Sequence, residues 1–313
     1  MKDRVITGLL LVLLTVAMLA VQTFVPYIFD AFVLYVIILC TLEIGKLQTK
    51  MGKPTYNWCA IVVSILLFLD VFICTLLGVN ALYIFLIAVA ILLLSFLVMY
   101  FGNAWIFKKE LEEDSFRTST NMSVAEFNFF KTNTTFYCIM YPGFLLFFMY
   151  LISHIDTIGF VNIQANFAGT PIALFCLLTI FFISCLTDTF AMLFGRVLGK
   201  HKLCPKVSPK KSVEGALFGL LGGTIGAILP FLVFNAIYPE QFAIIQLWQM
   251  LVIGFIGAIV CEAGDLYESL IKRRANVKDA GTFLRSHGGV LDRVDSILFC
   301  TPYIFICILL MLA

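Results

Sequence analysis

The sequence predicts an all-α polytopic membrane protein of about nine spanning helices, with the N-terminus cytoplasmic and the C-terminus outside. Three observations predict this. First, 61% of the 313 residues are hydrophobic, 13% are charged, and the mean hydropathy is +1.02. Soluble domains carry about 25% charged residues, so lipid must be the main solvent here. Second, nine apolar runs fall near 5–25, 27–42, 58–78, 81–101, 136–153, 169–188, 213–237, 241–261 and 294–312. Third, when the loops between these runs are assigned alternately to two sides, all 21 Lys and Arg fall on one side. Basic loops stay in the cytoplasm. This pattern excludes a secreted domain, a disordered chain and a nucleic-acid-binding protein. The outer connections are small or neutral, which argues against a receptor or adhesin.

The first run has no small-x-small cleavage site, because Met18 would stand at −3 before Ala20. It therefore reads as a signal anchor that stays in place. The second run is short and carries Asp30; the third carries Asp70, which should face other helices or water. The inner 102–135 loop contains an E-L-E-E-D run followed by Phe127, Phe129 and Phe130. It is expected to lie at the interface as an amphipathic helix with a scaffold role. The glycines at 215, 219, 222 and 226 have the spacing of close helix packing. Nine of the ten cysteines sit in or beside apolar runs, and only Cys204 is in a polar loop. With no C-x-x-C pair and no Cys/His cluster, they read as small buried hydrophobes. The chain divides into N-terminal helices with the interfacial loop, 1–135, and a catalytic membrane part, 136–313.

Two charge-dense segments on the inner side carry the chemistry. The first runs from Asp188 to Gly215. It holds Arg196, Lys200, Lys202, Lys206, Lys210 and Lys211 between Asp188 and Glu214, with Pro205 and Pro209 opposing helix. The second runs from Glu262 to Ser296. Glu262, Asp265, Ser269 and Lys272 line one helix face. Lys278, Asp279, His287, Gly288, Gly289, Asp292, Arg293 and Asp295 follow. Carboxylates beside many cations suit Mg²⁺ with a polyphosphate, because Mg²⁺ binds through one or two carboxylates plus substrate phosphates. The plainer alternative is ordinary surface ion pairing. The metal candidates are Asp265 and Asp292, then Asp188, Glu262 and Asp295. The phosphate-binding candidates are Lys210, Lys211, Lys272, Arg273, Lys278 and Arg293, with Ser269 sharing the helix face. Gly288 and Gly289 allow close backbone approach. His287 reads equally as a phosphate contact or as a turn histidine.

The stretch S-L-I-K-R-R-A-N-V-K-D-A-G-T-F-L-R-S-H-G-G-V-L-D-R-V-D, Ser269 to Asp295, resembles the signature of the phosphatidate cytidylyltransferases. So do G-D-L-x-E-S, Gly264 to Ser269, and the Phe194 to Gly215 segment. Arg285 stands where that family usually has proline, and Met192 where an aromatic is common. The first 180 residues match only in hydropathy. The resemblance implies that CTP and phosphatidate give CDP-diacylglycerol and pyrophosphate. It also implies nine spans, Mg²⁺ with a second metal site that could take K⁺, a homodimer, and a cell-membrane enzyme working on the cytoplasmic face. Asp265, Asp292, Lys272, Arg273 and His287 would be its catalytic group. One rival is a CTP-dependent polyprenol or phytol kinase. The other is a transporter, for which Asp30 and Asp70 are the only deep acidic candidates and no repeat is visible.

Overall fold

The computed structural model describes residues 2–106, 108–158, 167, 169–284 and 288–312. The chain is nearly all helix. In order come α1 (Lys2–Phe24), α2 (Pro26–Lys50), α3 (Asn57–Leu76) and α4 (Ala81–Ile106). Two short helices follow, α5 (Lys108–Glu113) and α6 (Ser115–Ser119), and then α7 (Val124–Ser153). The second half holds α8 (Ile172–Leu198), α9 (Val213–Ile237), α10 (Pro239–Phe242), α11 (Leu247–Arg274) and α12 (Leu291–Leu312). Between α8 and α9 lies a hairpin of two antiparallel strands, β1 (Lys202–Cys204) and β2 (Ser208–Ser212).

Among the described residues, eight helices are long and apolar enough to cross a membrane. The expected first span is helical as well, although its described apolar part, Val12–Phe24, is shorter than a crossing. The lipid-facing character is clearest on α4, where Leu86, Leu93, Leu94, Leu97 and Val98 are exposed. All ten cysteines are free thiols, and seven are buried.

Several boundaries differ from the sequence expectation. The second run is no short span: α2 continues to Lys50 and so carries Glu43 inward. The 102–135 segment is not one helix: it is divided among the end of α4, α5, α6 and the start of α7. Its last part starts α7, where Ser123 caps the helix and Glu126 returns the bond in a capping box. Phe127 is buried, Phe129 is exposed, and Phe130 stacks on Phe116. The boundary at 135/136 falls inside α7. That helix widens to a π-turn at Ile139–Phe144, where Pro142 supplies no amide hydrogen. The α8 and α11 helices run past their apolar stretches to Leu198 and Arg274. Charge ends an apolar run without ending the helix, so Asp188 lies ten residues before the end of α8 rather than at it.

Helices α8, α9, α11 and α12 pack around the site-bearing face, and α7 fills behind α12. The glycines of α9 make this tight packing possible, as their spacing predicts. A Cβ on Gly226 would lie 2.5 Å from the Phe182 carbonyl of α8. One on Gly254 of α11 would lie 2.7 Å from the Thr224 Cα of α9.

Candidate active site

The hairpin presents its lysines by strand alternation. Lys210 points outward and is exposed, whereas Lys211 turns inward and sets its Nζ 2.8 Å from Asp265 Oδ2 on α11. Glu214 fastens the base of the hairpin by accepting from the His201 and Lys200 amides and pairing with His201 Nδ1 at 2.6 Å. Ser212 then caps α9 through the Gly215 amide.

On α11, Asp265 Oδ1 also accepts from Ser269 at 3.3 Å. Opposite stand Asp188 of α8 and Asp295 of α12. Asp188 is accessible, lies within electrostatic reach of Asp265, Glu262 and Lys211, and accepts from Ser296 at 3.3 Å. Asp295 in turn interacts with both Asp265 and Asp188. Glu262 packs against Gly219, and its Oε1 is buried without a hydrogen-bond partner. Four carboxylates from three helices thus face one another, with Lys211 the cation paired among them.

Asp292 does not belong to this group. Its Oδ1 takes Lys272 at 2.7 Å, and its Oδ2 takes the Gly289 and Ala280 amides at 2.7 and 2.9 Å. Lys272 also pairs with the fully buried Glu268. The expected partnership of Asp265 and Asp292 is therefore divided: Asp265 pairs with Lys211, and Asp292 with Lys272. Arg273 turns away from both. It donates to the Val207 carbonyl of the hairpin turn and the Val277 carbonyl after α11. Lys278 and Arg293 are exposed. His287 lies outside the described residues.

The end of α11 is shaped by a Schellman-type cap. Val277 donates to the Lys272 carbonyl and Asn276 to the Arg273 carbonyl, and Asn276 has a positive φ of 53°. This cap ends α11 and turns the chain into residues 278–284. Gly288 has a φ of +82°, and a Cβ there would lie 2.6 Å from Asp292 Oδ2. The loop is anchored from far away by Glu43 of α2, whose carboxylate accepts from the Val290 and Leu291 amides at 3.1 and 2.8 Å. Sequence reasoning missed Glu43 and Glu268. Glu268 was visible inside G-D-L-x-E-S. Glu43 gave one weak signal, a carboxylate inside an apolar helix.

The cluster of Asp188, Glu262, Asp265 and Asp295 fits a hard divalent cation in its chemistry. It offers only oxygen donors, carries surplus negative charge and includes one orphaned buried oxygen. Among the described residues, no three such side chains close around a single point. An ion here would complete its shell with waters and substrate phosphates, as Mg²⁺ usually does. The deep carboxylates cited for a transporter have structural partners instead. Asp30 Oδ2 lies 2.5 Å from His154 Nε2, and Asp70 accepts from the Cys74 thiol.

Comparison with known proteins places the chain in a family. The cytidylyltransferase family model matches residues 2–311. The chain is 36% identical over 155 residues to the phosphatidate cytidylyltransferase of Staphylococcus saprophyticus subsp. saprophyticus, covering 49% of this chain and 55% of that one. It is 36% identical over 156 residues to that of Staphylococcus haemolyticus, with the same coverage. It is 41% identical over 131 residues to that of Staphylococcus aureus, covering 41% and 47%. The chain thus spans about half the length of the relatives it matches. With the family match running over nearly its whole length, the chain belongs to the cytidylyltransferase family.

Proposed function

We propose that the chain is a CTP:phosphatidate cytidylyltransferase that makes CDP-diacylglycerol and pyrophosphate for phospholipid synthesis. The observation that carries this reading is the surplus-negative cluster of Asp188, Glu262, Asp265 and Asp295, paired with Lys211 and with Lys210 exposed on the same strand. That is the charge pattern needed to hold a metal-bound polyphosphate. The relatives named phosphatidate cytidylyltransferase support the choice of substrates.

A phosphomonoester carries about −1.5 to −2 charge at pH 7. The phosphatidate phosphate is therefore already a nucleophile, and no side chain has to take its proton. One of its oxygens forms a bond to the CTP α-phosphorus. The bond from that phosphorus to the bridging oxygen breaks, and pyrophosphate leaves with the electron pair. Mg²⁺, when bound, would offset the repulsion between the two anions and the charge on the leaving group. Asp265 and Asp188 would hold it, with Asp295 and Glu262 behind them. Lys211, near the base of the hairpin, would meet phosphate oxygens. Lys272, balanced by Glu268 and Asp292, would position α11 against the Gly288–Gly289 loop. The acyl chains would remain in the bilayer, with the head group entering from the cytoplasmic face of the cell membrane. The family resemblance also suggests a homodimer.

The test uses purified protein, phosphatidate, Mg²⁺ and CTP labelled in turn at the α- and γ-phosphates. Transfer of the α-label to lipid, with pyrophosphate released, is expected. Transfer of the γ-label to lipid would replace this reading with that of a lipid kinase.

A further inference from the structure

A cavity lies on the far side of α11. Its volume is about 320 Å³, and it is lined by Gln48, Lys53, Phe130, Tyr137, Tyr267 and Arg274 among others. At about 100° per residue, Tyr267 and Arg274 lie roughly 180–200° around the helix from Asp265. The carboxylate cluster and this cavity therefore occupy opposite faces of α11.

Three features define what the cavity can hold. Its cations, Lys53 and Arg274, are exposed and form no ion pair among the described residues. No Asp or Glu lines it, so it attracts an anion and offers no carboxylate to a metal-bound nucleotide. Its remaining wall mixes apolar and amphipathic groups. Phe130, Leu270 and Ile271 stand beside the Tyr137 and Tyr267 hydroxyls, which bond to each other at 2.9 Å. One wall also meets the membrane boundary, since Tyr137 stands at the start of the apolar run near 136–153. At such a boundary spanning helices leave the hydrocarbon and meet lipid phosphates. Tyr and basic side chains are the usual residues there.

We infer that this cavity binds the phosphate of an acidic membrane phospholipid that is not the substrate, bridging the ends of α2 and α11 through Lys53 and Arg274. The site stands independently of the reaction assigned to the opposite face of α11.

The test is native mass spectrometry of the delipidated full chain titrated with phosphatidylglycerol or phosphatidylcholine. The wild type should retain phosphatidylglycerol at least tenfold more tightly. Lys53→Gln and Arg274→Gln should each weaken that retention roughly tenfold, since each removes a charge-assisted contact. Arg274→Lys should keep most of it. Turnover of both Gln variants in phosphatidylcholine discs should match the wild type, which checks folding. Lys53→Gln, in an exposed loop, serves alone if the Arg274 variant does not fold. Equal retention of the two lipids, or full retention by the Gln variants, overturns the inference. Displacement of phosphatidylglycerol by CTP or inorganic phosphate at equal concentration also overturns it, because the ligand would then be a soluble phosphate. A wild type lacking cytidylyl transfer but retaining phosphatidylglycerol would sink the proposed reaction and leave this site standing.

Discussion

The dependence of the Gly288–Gly289 loop on Glu43 gives the most direct test of how the site is held. Glu43 is 5% exposed, and its two oxygens each accept one amide, from Val290 and Leu291. Glu43→Gln keeps the shape. It removes the charge and turns one acceptor into an NH₂ donor facing a backbone N–H. One amide loses its partner, and the other bond is no longer charge-assisted. Bonds to charged groups contribute about 1.5–3 kcal/mol, and a buried unsatisfied donor costs about 1–3 kcal/mol. A net loss of about 2–3 kcal/mol is expected, which shifts the loop away from its anchored position roughly 30- to 150-fold. Asp292 starts the same turn, so the loss should reach turnover, where a misplacement of about 1 Å can cost ~10²-fold. The assay pairs initial rates at saturating CTP with hydrogen exchange at the Val290 and Leu291 amides. Faster exchange at those amides with slower turnover is expected. Unchanged exchange with normal turnover would refute the anchoring role, and slow turnover with protected amides would mean that Glu43 acts by another route.

Other expectations follow from the same geometry. Asp265→Asn should abolish turnover while the protein still purifies as a folded species, whereas Asp70→Asn should affect stability at most; near-normal activity of the Asp265 variant at low Mg²⁺ would remove it as a metal ligand. Lys272→Met leaves Glu268 and Asp292 without their shared cation and should destabilise by about 3–5 kcal/mol, the scale for breaking a buried pair. Adding Glu268→Gln should recover part of that loss in a thermal melt, and failure to do so would break the proposed coupling. Gly226→Ala forces a Cβ toward the Phe182 carbonyl and should cost about 1–3 kcal/mol by overpacking, seen as a lower melting temperature. A tag within 199–211 should be labelled only from the cytoplasm; labelling from outside would invert the proposed topology.

Much of the fold was legible because lipid demands a simple code. Apolar runs, punctuated by clustered cations, gave most of the helices and the two charge-dense segments that meet at the site. The face shared by Glu262, Asp265 and Ser269 was legible too, since helical spacing alone sets it. What periodicity cannot show is which helix stands opposite that face. Asp292 looked equivalent to Asp265 as a carboxylate opening a span near glycines, yet it is taken up by Lys272 and two loop amides. Glu43 lies 247 residues from the amide it binds, and no local pattern links them. The α7 start was missed for a different reason. Polar residues such as Asn128, Thr132 and Thr135 lower the hydropathy there, but they are buried against protein rather than lipid. Tyr56 donates its amide to Thr135 and its hydroxyl to Asn128.

The division of the acidic residues into two clusters follows from how each is solvated. Glu43 and Asp292 together accept four backbone amides, and Lys272 bridges Asp292 to Glu268. Their charge is met by donors the fold supplies, and fixed donors hold a loop in one place. Asp188, Glu262, Asp265 and Asp295 receive far less. Ser296 serves two of them, Ser269 and Lys211 serve Asp265, and one oxygen of Glu262 has no partner. Carboxylates crowded together with few donors repel one another unless something else supplies the compensation. The fold leaves that compensation more open at the first cluster than at Glu43 and Asp292, while Glu268 relies on Lys272 alone. Such a difference would arise if the first awaits a cation and phosphates while the second fixes the loop that meets them. Neutralising the first cluster should therefore raise stability while removing activity, and neutralising the second should lower both.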